Sequence, residues 1–174
     1  MLKKLYYVIS LFSIVFIFST IEGVYANPQT PSFEGKFSEA GYKSVENAVK
    51  DFENHDNFKV RLPTILPSIS YTHNFGKFYL DKEYSVNDAL HIMFVNEDIK
   101  ENIFKIDIRS LNNKLDFEGK DYTLQDGTKG IYFEHQLFNF FVFEKYDLQY
   151  MLGINKKVAD KVTPESLVEM ANSI

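Results

Sequence analysis

Strict alternation of apolar and polar residues in the segment 102–111 constrains the fold of this chain more than any other feature of its sequence. Successive side chains of a β-strand point to opposite faces, so this pattern predicts a strand with one buried and one solvated face. A strand of this kind belongs in an antiparallel sheet. The buried face is predicted to carry Phe104, Ile106 and Ile108, and the solvated face Lys105, Asp107 and Arg109.

Related patterns predict further strands on both sides of this segment. Residues 136–145 (QLFNFFVFEK) are apolar at odd and at even positions, so both faces of a strand here would be apolar. This pattern favours a central strand covered on both faces, or an exposed aromatic patch. Asp126-Gly127 between two β-prone segments predicts a hairpin with a type I′ turn. Pro63 and Pro67 exclude a helix and suit a short edge strand or an extended segment. The further predicted strands are 58–67, 72–80, 87–95, 120–125, 128–134, 136–145 and 148–154.

Two amphipathic helices enclose the predicted strands. Residues 43–55 place apolar side chains at i, i+3, i+4 and i+7, and Ser44 is a suitable N-cap because its hydroxyl can accept a backbone N–H bond. Residues 163–174 begin with Thr163 as the cap and Pro164 at the first helical position. This order of elements predicts an α+β domain, an antiparallel meander sheet with helices packed on one face.

The N-terminal 26 residues have the layout of a secretory signal peptide. Lys3 and Lys4 precede the uncharged stretch 5–21, and Val24 and Ala26 fit cleavage after Ala26. The 17 uncharged residues fall between the length of a signal-peptide core and that of a spanning helix, so an uncleaved membrane anchor stays as the alternative. The chain therefore divides into residues 1–26, a flexible lead-in at 27–42 that can dock through Phe33 and Phe37, and a single domain at 43–174.

Charge and cysteine content narrow the class of protein. The whole chain has a formal net charge of −5, and without the leader, which holds two Lys and one Glu, the charge is −6. This acidic balance argues against a nucleic-acid partner. The chain has no Cys, which excludes disulfides and thiolate metal ligands. We expect a secreted protein or one on the extracytoplasmic face of the cell membrane, with membrane contact only through the N-terminal segment if it stays uncleaved.

Motifs for catalysis, cofactors or metals do not emerge from the sequence. The four His form neither an HExxH motif nor a pair four residues apart, and no glycine-rich phosphate loop precedes a helix. We therefore assign no catalytic, cofactor-binding or metal-binding residues. The scattered candidates are His73, His91 and His135 for a metal site, and Asp107, Glu118, Asp121 and Glu134 for acid–base chemistry.

Aromatic residues concentrated in the last two predicted strands are the candidate contact residues. Three interpretations stay open: a packed core, a surface that binds a partner, or the lining of a cavity for an apolar ligand. The residues with a possible role in partner or ligand contact are Phe138, Phe140, Phe141, Phe143 and Tyr150.

Four segments together resemble a known family. They are FKVRLPTILP (58–67), KGIYFE (129–134), VFEKYDLQYMLG (142–153) and TPESLVEMANSI (163–174). In their order they resemble the extracytoplasmic bacterial domain of unknown function 4367, which is found in exported or membrane-tethered proteins of spore-forming Gram-positive bacteria. Phe143 departs from the family pattern, in which Trp is expected. The resemblance implies a non-enzymatic envelope or sensor-type module.

We therefore predict an exported, non-enzymatic envelope module that binds a protein or cell-surface partner, an envelope protein or polymer, through a sheet face. The alternative is a carrier of an apolar, lipid-like ligand in a cavity between sheet and helices. A hydrolase or metal enzyme would require His and carboxylate side chains to converge in one pocket.

Overall fold

A computed structural model describes residues 31–80 and 88–174 of the 174-residue chain. The predicted signal peptide, the first residues of the lead-in and Asn87 lie outside the described residues. Among residues 31–80 and 88–174, no helix is long and apolar enough to span a membrane. In chain order the helices and strands are α1 (Phe33–Glu39), α2 (Val45–Asp56), β1 (His73–Tyr79), β2 (Ala89–Val95), β3 (Ile103–Ser110), β4 (Lys120–Thr123), β5 (Lys129–Glu134), β6 (Phe138–Lys145), β7 (Leu148–Asn155) and α3 (Pro164–Asn172).

The strands form one antiparallel sheet in the order β1-β2-β3-β7-β6-β5-β4. The predicted α+β class with an antiparallel sheet is confirmed. The predicted single meander is wrong, because β7 and not β4 pairs with β3. Burial explains the order: β7 is largely buried along its length and takes a central position, whereas the four residues of β4 are mostly exposed and form an edge.

The helices α2 and α3 cover one face of the sheet, which we call the helical face. Ala48 and Phe52 of α2 are fully buried there against β1 and β2, and Leu167 and Met170 of α3 are buried in the same core. The cap of α2 is the predicted one, since the Ser44 hydroxyl accepts a hydrogen bond from the backbone N–H of Asn47 at 3.3 Å.

The short helix α1 lies on the other side of the sheet, which we call the second face. The Phe37 ring stacks on Phe75 with centroids 4.2 Å apart, and the Phe33 ring lies 5.1 Å from His73. The two aromatic side chains of the lead-in therefore dock as predicted, but on the face away from α2, so the helices do not all pack on one face. The chain then passes around the edge of β1, where Lys43 and Gly76 exchange two backbone hydrogen bonds of 2.8 Å.

Residues 58–67 lie outside the sheet, so the short strand predicted there is wrong. Pro63 and Pro67 supply no N–H groups, and the segment is held instead by side chains of neighbouring elements. The N–H of Val60 donates to Glu53 Oε1 at 2.9 Å, and the N–H of Thr64 donates to Ser173 Oγ at 3.1 Å.

The hairpin at Asp126-Gly127 exists, but its turn differs from the predicted type I′. Only Gly127 has a positive φ, at 87°, and the N–H of Leu124 donates to Thr128 O at 2.8 Å around a three-residue loop. A two-residue turn with positive φ at both positions occurs instead between β6 and β7, at Tyr146 (54°) and Asp147 (61°).

Gly76 sets the approach of α2 to the sheet. A Cβ at this position would lie 2.7 Å from Ala48 Cβ and 2.9 Å from Val45 Cα, so α2 or β1 would have to shift. We expect Gly76→Ala to lower the free energy of unfolding in urea by about 1–3 kcal/mol. Asn74→Ala, at an exposed position of the same strand, is the control and should change it by less than about 0.5 kcal/mol. Equal effects of the two substitutions would contradict this packing.

Candidate functional site

The five aromatic candidate residues divide between the two faces of the sheet. Phe141, Phe143 and Tyr150 face the helices, and each is at most 2% exposed. The rings of Phe143 and Tyr150 stack with centroids 5.3 Å apart, and the Tyr150 hydroxyl accepts a 3.4 Å hydrogen bond from the N–H of Arg61. These three side chains fill the core on the helical face.

Phe138 and Phe140 lie on the second face. Phe140 is 7% exposed, because Phe133 stacks beside it at 5.2 Å and Lys105 Nζ lies 4.8 Å from its ring centroid. Phe138 stays partly exposed, with Lys105 Nζ 5.0 Å from its ring. Strand β6 is therefore covered on both faces, and Phe138 alone of the five is placed to contact a molecule from outside.

The connection from β3 to β4 crosses the second face, and we call residues 111–119 the strap. The side-chain amide of Gln149 holds it by two hydrogen bonds: its Oε1 accepts from the N–H of Leu115 at 3.0 Å, and its Nε2 donates to Leu115 O at 2.8 Å. Phe117 stacks on Phe133 at 4.9 Å, and Lys114 pairs with Glu144 at 2.9 Å. The strap thus contacts β5, β6 and β7.

A cavity of about 560 Å³ lies between the strap and the sheet. Ile131 and Val142 belong to its sheet side, and Leu115 and Phe117 to its strap side. Charged side chains line it as well, namely Lys114, Asp116, Lys129 and Glu144. Its volume is that of a small-ligand pocket, and its lining combines apolar and charged groups.

Between α1 and the strap the second face carries a mixed set of basic, apolar and acidic side chains, which we call the central patch. Cross-strand pairing places Lys77, His91, Asp107 and Met151 in one row across β1, β2, β3 and β7. The side chains of His91 and Lys105 are 34% and 26% exposed. The central patch consists of Lys77, His91, Met93, Lys105, Asp107, Arg109 and Met151.

Asp107 is the buried centre of this patch. It is 5% exposed, so its predicted place on a solvated face is wrong. Its Oδ1 lies 2.5 Å from His91 Nδ1, and its Oδ2 lies 3.5 Å from Lys105 Nζ. An ionised carboxylate only accepts hydrogen bonds, so Nδ1 of His91 is protonated and donates its hydrogen bond to Asp107.

The electrostatics of the patch follow from this buried charge. Burial alone would raise the pKa of Asp107, but the hydrogen bond from His91 and the charge of Lys105 outweigh it and hold the pKa below its ordinary value. Burial, and then the charge of Asp107, raise the pKa of Tyr42. Burial lowers the pKa of the Arg109 guanidinium, and Asp107 partly opposes this effect.

Arg109 has no hydrogen-bond acceptor and no ion-pair partner among residues 31–80 and 88–174. It is partly buried on β3, where it pairs in register with Gln149 of β7. A guanidinium offers five donors in a fixed plane, so this side chain can bind a carboxylate or phosphate from another molecule.

The other residues considered for chemistry do not converge. His73 lies on β1 and His91 on β2, whereas His135 follows β5. Asp121 lies on the edge strand β4, and Glu134 pairs with Lys156 at 2.8 Å. Within the described part of the chain, no group of three His, Asp or Glu side chains is placed to hold a metal ion.

We expect Asp107→Asn to destabilise the protein most above about pH 4. A folded-state pKa below the ordinary value means that the carboxylate stabilises the fold above about pH 4, and that this contribution is lost as the pH falls further. At pH 7 the loss should be about 1–3 kcal/mol, and the difference between wild type and variant should shrink on acidification.

Urea unfolding between pH 2.5 and 7 measures this difference, with the exposed Asp121→Asn as the matched control that should change little. A difference for Asp107→Asn that stays constant over the whole pH range would contradict a depressed pKa at this position.

Comparisons with known proteins identify no relative of this chain: no family model, curated protein or solved structure matches it. The resemblance to the domain of unknown function 4367 therefore stays a prediction.

Proposed function

We propose that the chain is an exported, non-enzymatic envelope module that binds a protein or cell-surface partner through the second face of its sheet. The supporting observation is the central patch, whose basic and apolar side chains stay partly exposed between α1 and the strap. The helical face of the sheet is filled by core packing, so a partner that contacts the sheet has to bind its second face. The resemblance to the domain of unknown function 4367 is in line with this proposal.

The alternative, a carrier of an apolar ligand between sheet and helices, has less support. Phe141, Phe143 and Tyr150 would have to line its cavity, but all three are packed in the core. The cavity of about 560 Å³ lies on the other side of the sheet, and charged residues form part of its lining. This position suits an apolar group of a larger partner better than an enclosed lipid.

A photo-crosslinking experiment tests the proposed surface. The photoreactive residue p-benzoyl-phenylalanine replaces Met151 or Met93 in the central patch, or Lys50 on the exposed side of α2 as the control. After irradiation of intact cells, both patch positions should give the same crosslinked species, and excess unlabelled protein should compete it away. Crosslinks that form from position 50, and not from positions 93 and 151, would contradict the proposal.

Export of the module predicts a defined N-terminus. Removal of residues 1–26 after Ala26 leaves Asn27 as the first residue of the exported protein. Intact-mass measurement and N-terminal sequencing of protein recovered from the medium and the envelope check this prediction. A mature protein that still contains residues 1–26 would contradict cleavage and favour the anchored alternative.

A further inference from the structure

We propose that the partner of the second face is an acidic protein segment that also carries apolar side chains. Its carboxylates bind Arg109 and the neighbouring lysines, and one of its apolar side chains enters the cavity under the strap. This inference rests on the proposed function and specifies the chemistry of the partner. Charge, unsatisfied donors and the apolar part of the surface each support it.

The charge of the central patch opposes that of the chain as a whole. Lys77, Lys105 and Arg109 stand against Asp107 alone, in a chain whose formal net charge is −5. The helices on the other face carry Lys50 and a larger number of acidic side chains, including Glu46, Asp51, Glu53, Glu165 and Glu169. An acidic segment is therefore attracted to the central patch and repelled by the surface of α2 and α3.

Arg109 is the main anchor for a carboxylate. Its five N–H donors have no acceptor among the residues that the structure describes, and part of its hydration is already lost through burial. A bidentate carboxylate would satisfy two of these donors at once. Lys77 and Lys105 already have partners, the carbonyl of Ala40 at 2.8 Å and the carboxylate of Asp107 at 3.5 Å, so they add charge to the site.

The apolar half of the surface favours a polypeptide over a polyanionic polymer. Met93 and Met151 lie among the charged groups, and methionine side chains adapt to the shape of an apolar partner. Met151 lies opposite Val142 on the neighbouring strand, and Val142 lies opposite Ile131 on the next one. Val142 and Ile131 belong to the cavity wall, so the apolar surface continues from the patch into the cavity. A highly charged polymer without apolar groups would leave these contacts unused.

The dimensions of the patch fit one segment of chain. Strands β1 and β6 are separated by four strand spacings, or about 19 Å. Parts of this width are taken up by α1 at one side and by the strap at the other. The remaining width is well below 19 Å, which suits a single extended segment of chain.

Methionine-methyl NMR on the full chain tests this inference directly. The probe is an eight-residue peptide of alternating Glu and Leu, compared with peptides of alternating Gln and Leu and of Glu alone. The methyl groups of Met93 and Met151 report on the patch, and that of Met170, buried on α3, reports on the integrity of the fold. The matched variants are Arg109→Gln and Arg61→Gln, since the sequence contains two arginines and Arg61 lies outside the sheet against Tyr146.

We expect the Glu-Leu peptide to shift the Met93 and Met151 signals, with weaker binding of both comparison peptides and weaker binding at high salt. Arg109→Gln should weaken the affinity about tenfold with the Met170 signal in place, and Arg61→Gln should leave it unchanged. Arg109→Lys should bind with intermediate affinity, because it keeps the charge and loses the planar fork.

Three results would overturn the inference: equal binding of the Gln-Leu peptide, equal binding of the Glu-only peptide, or an affinity that Arg109→Gln does not change. Crosslinks from position 151 together with any of these results would leave the proposed surface standing and remove the acidic segment as its partner. Crosslinks from position 50 alone would remove the surface itself.

Discussion

The pairing of β3 with β7 is the constraint on which the rest of this structure depends. It joins the strands β1–β2–β3 to the meander β4–β7. Because β7 occupies the place beside β3, β4 cannot pair there. The chain that leaves β3 must then cross the sheet to begin β4 at the far edge. This crossing produces the strap, the hydrogen bonds of Gln149 to Leu115 that hold it, and the cavity beneath it.

The two faces of the sheet differ in the interactions at their centres. On the helical face, apolar side chains such as Phe141, Leu152 and Ile106 are buried by α2, α3 and their neighbours, and hydrophobic burial holds the layers together. On the second face, burial of the Asp107 carboxylate costs free energy, which His91 and Lys105 offset by hydrogen bonding and charge. Since such a buried cluster adds little net stability compared with apolar packing, its presence on this face suits a role in recognition.

Local patterns predicted the elements well, and their arrangement poorly. Alternation placed the strand around Ile106, and the Ser44 cap placed the start of α2, because both depend on residues close in sequence. The position of β7 beside β3 and the docking of α1 on the second face depend on pairings between distant segments. The burial of Asp107 was missed for the same reason. It shares its strand face with Lys105 and Arg109, and a face of polar residues predicts exposure to solvent. The cross-strand His91 that gives it a partner is visible only in the register.

The proposed function requires the central patch to be accessible to solvent and positively charged. The most direct test is paramagnetic relaxation of the methionine methyl groups by nitroxide probes that are neutral, anionic or cationic. We predict that the neutral probe relaxes Met93 and Met151 but not Met170, and that the anionic probe relaxes the first two more strongly than the cationic probe does. Protection of Met93 and Met151 from the neutral probe, or a stronger effect of the cationic probe, would contradict the account.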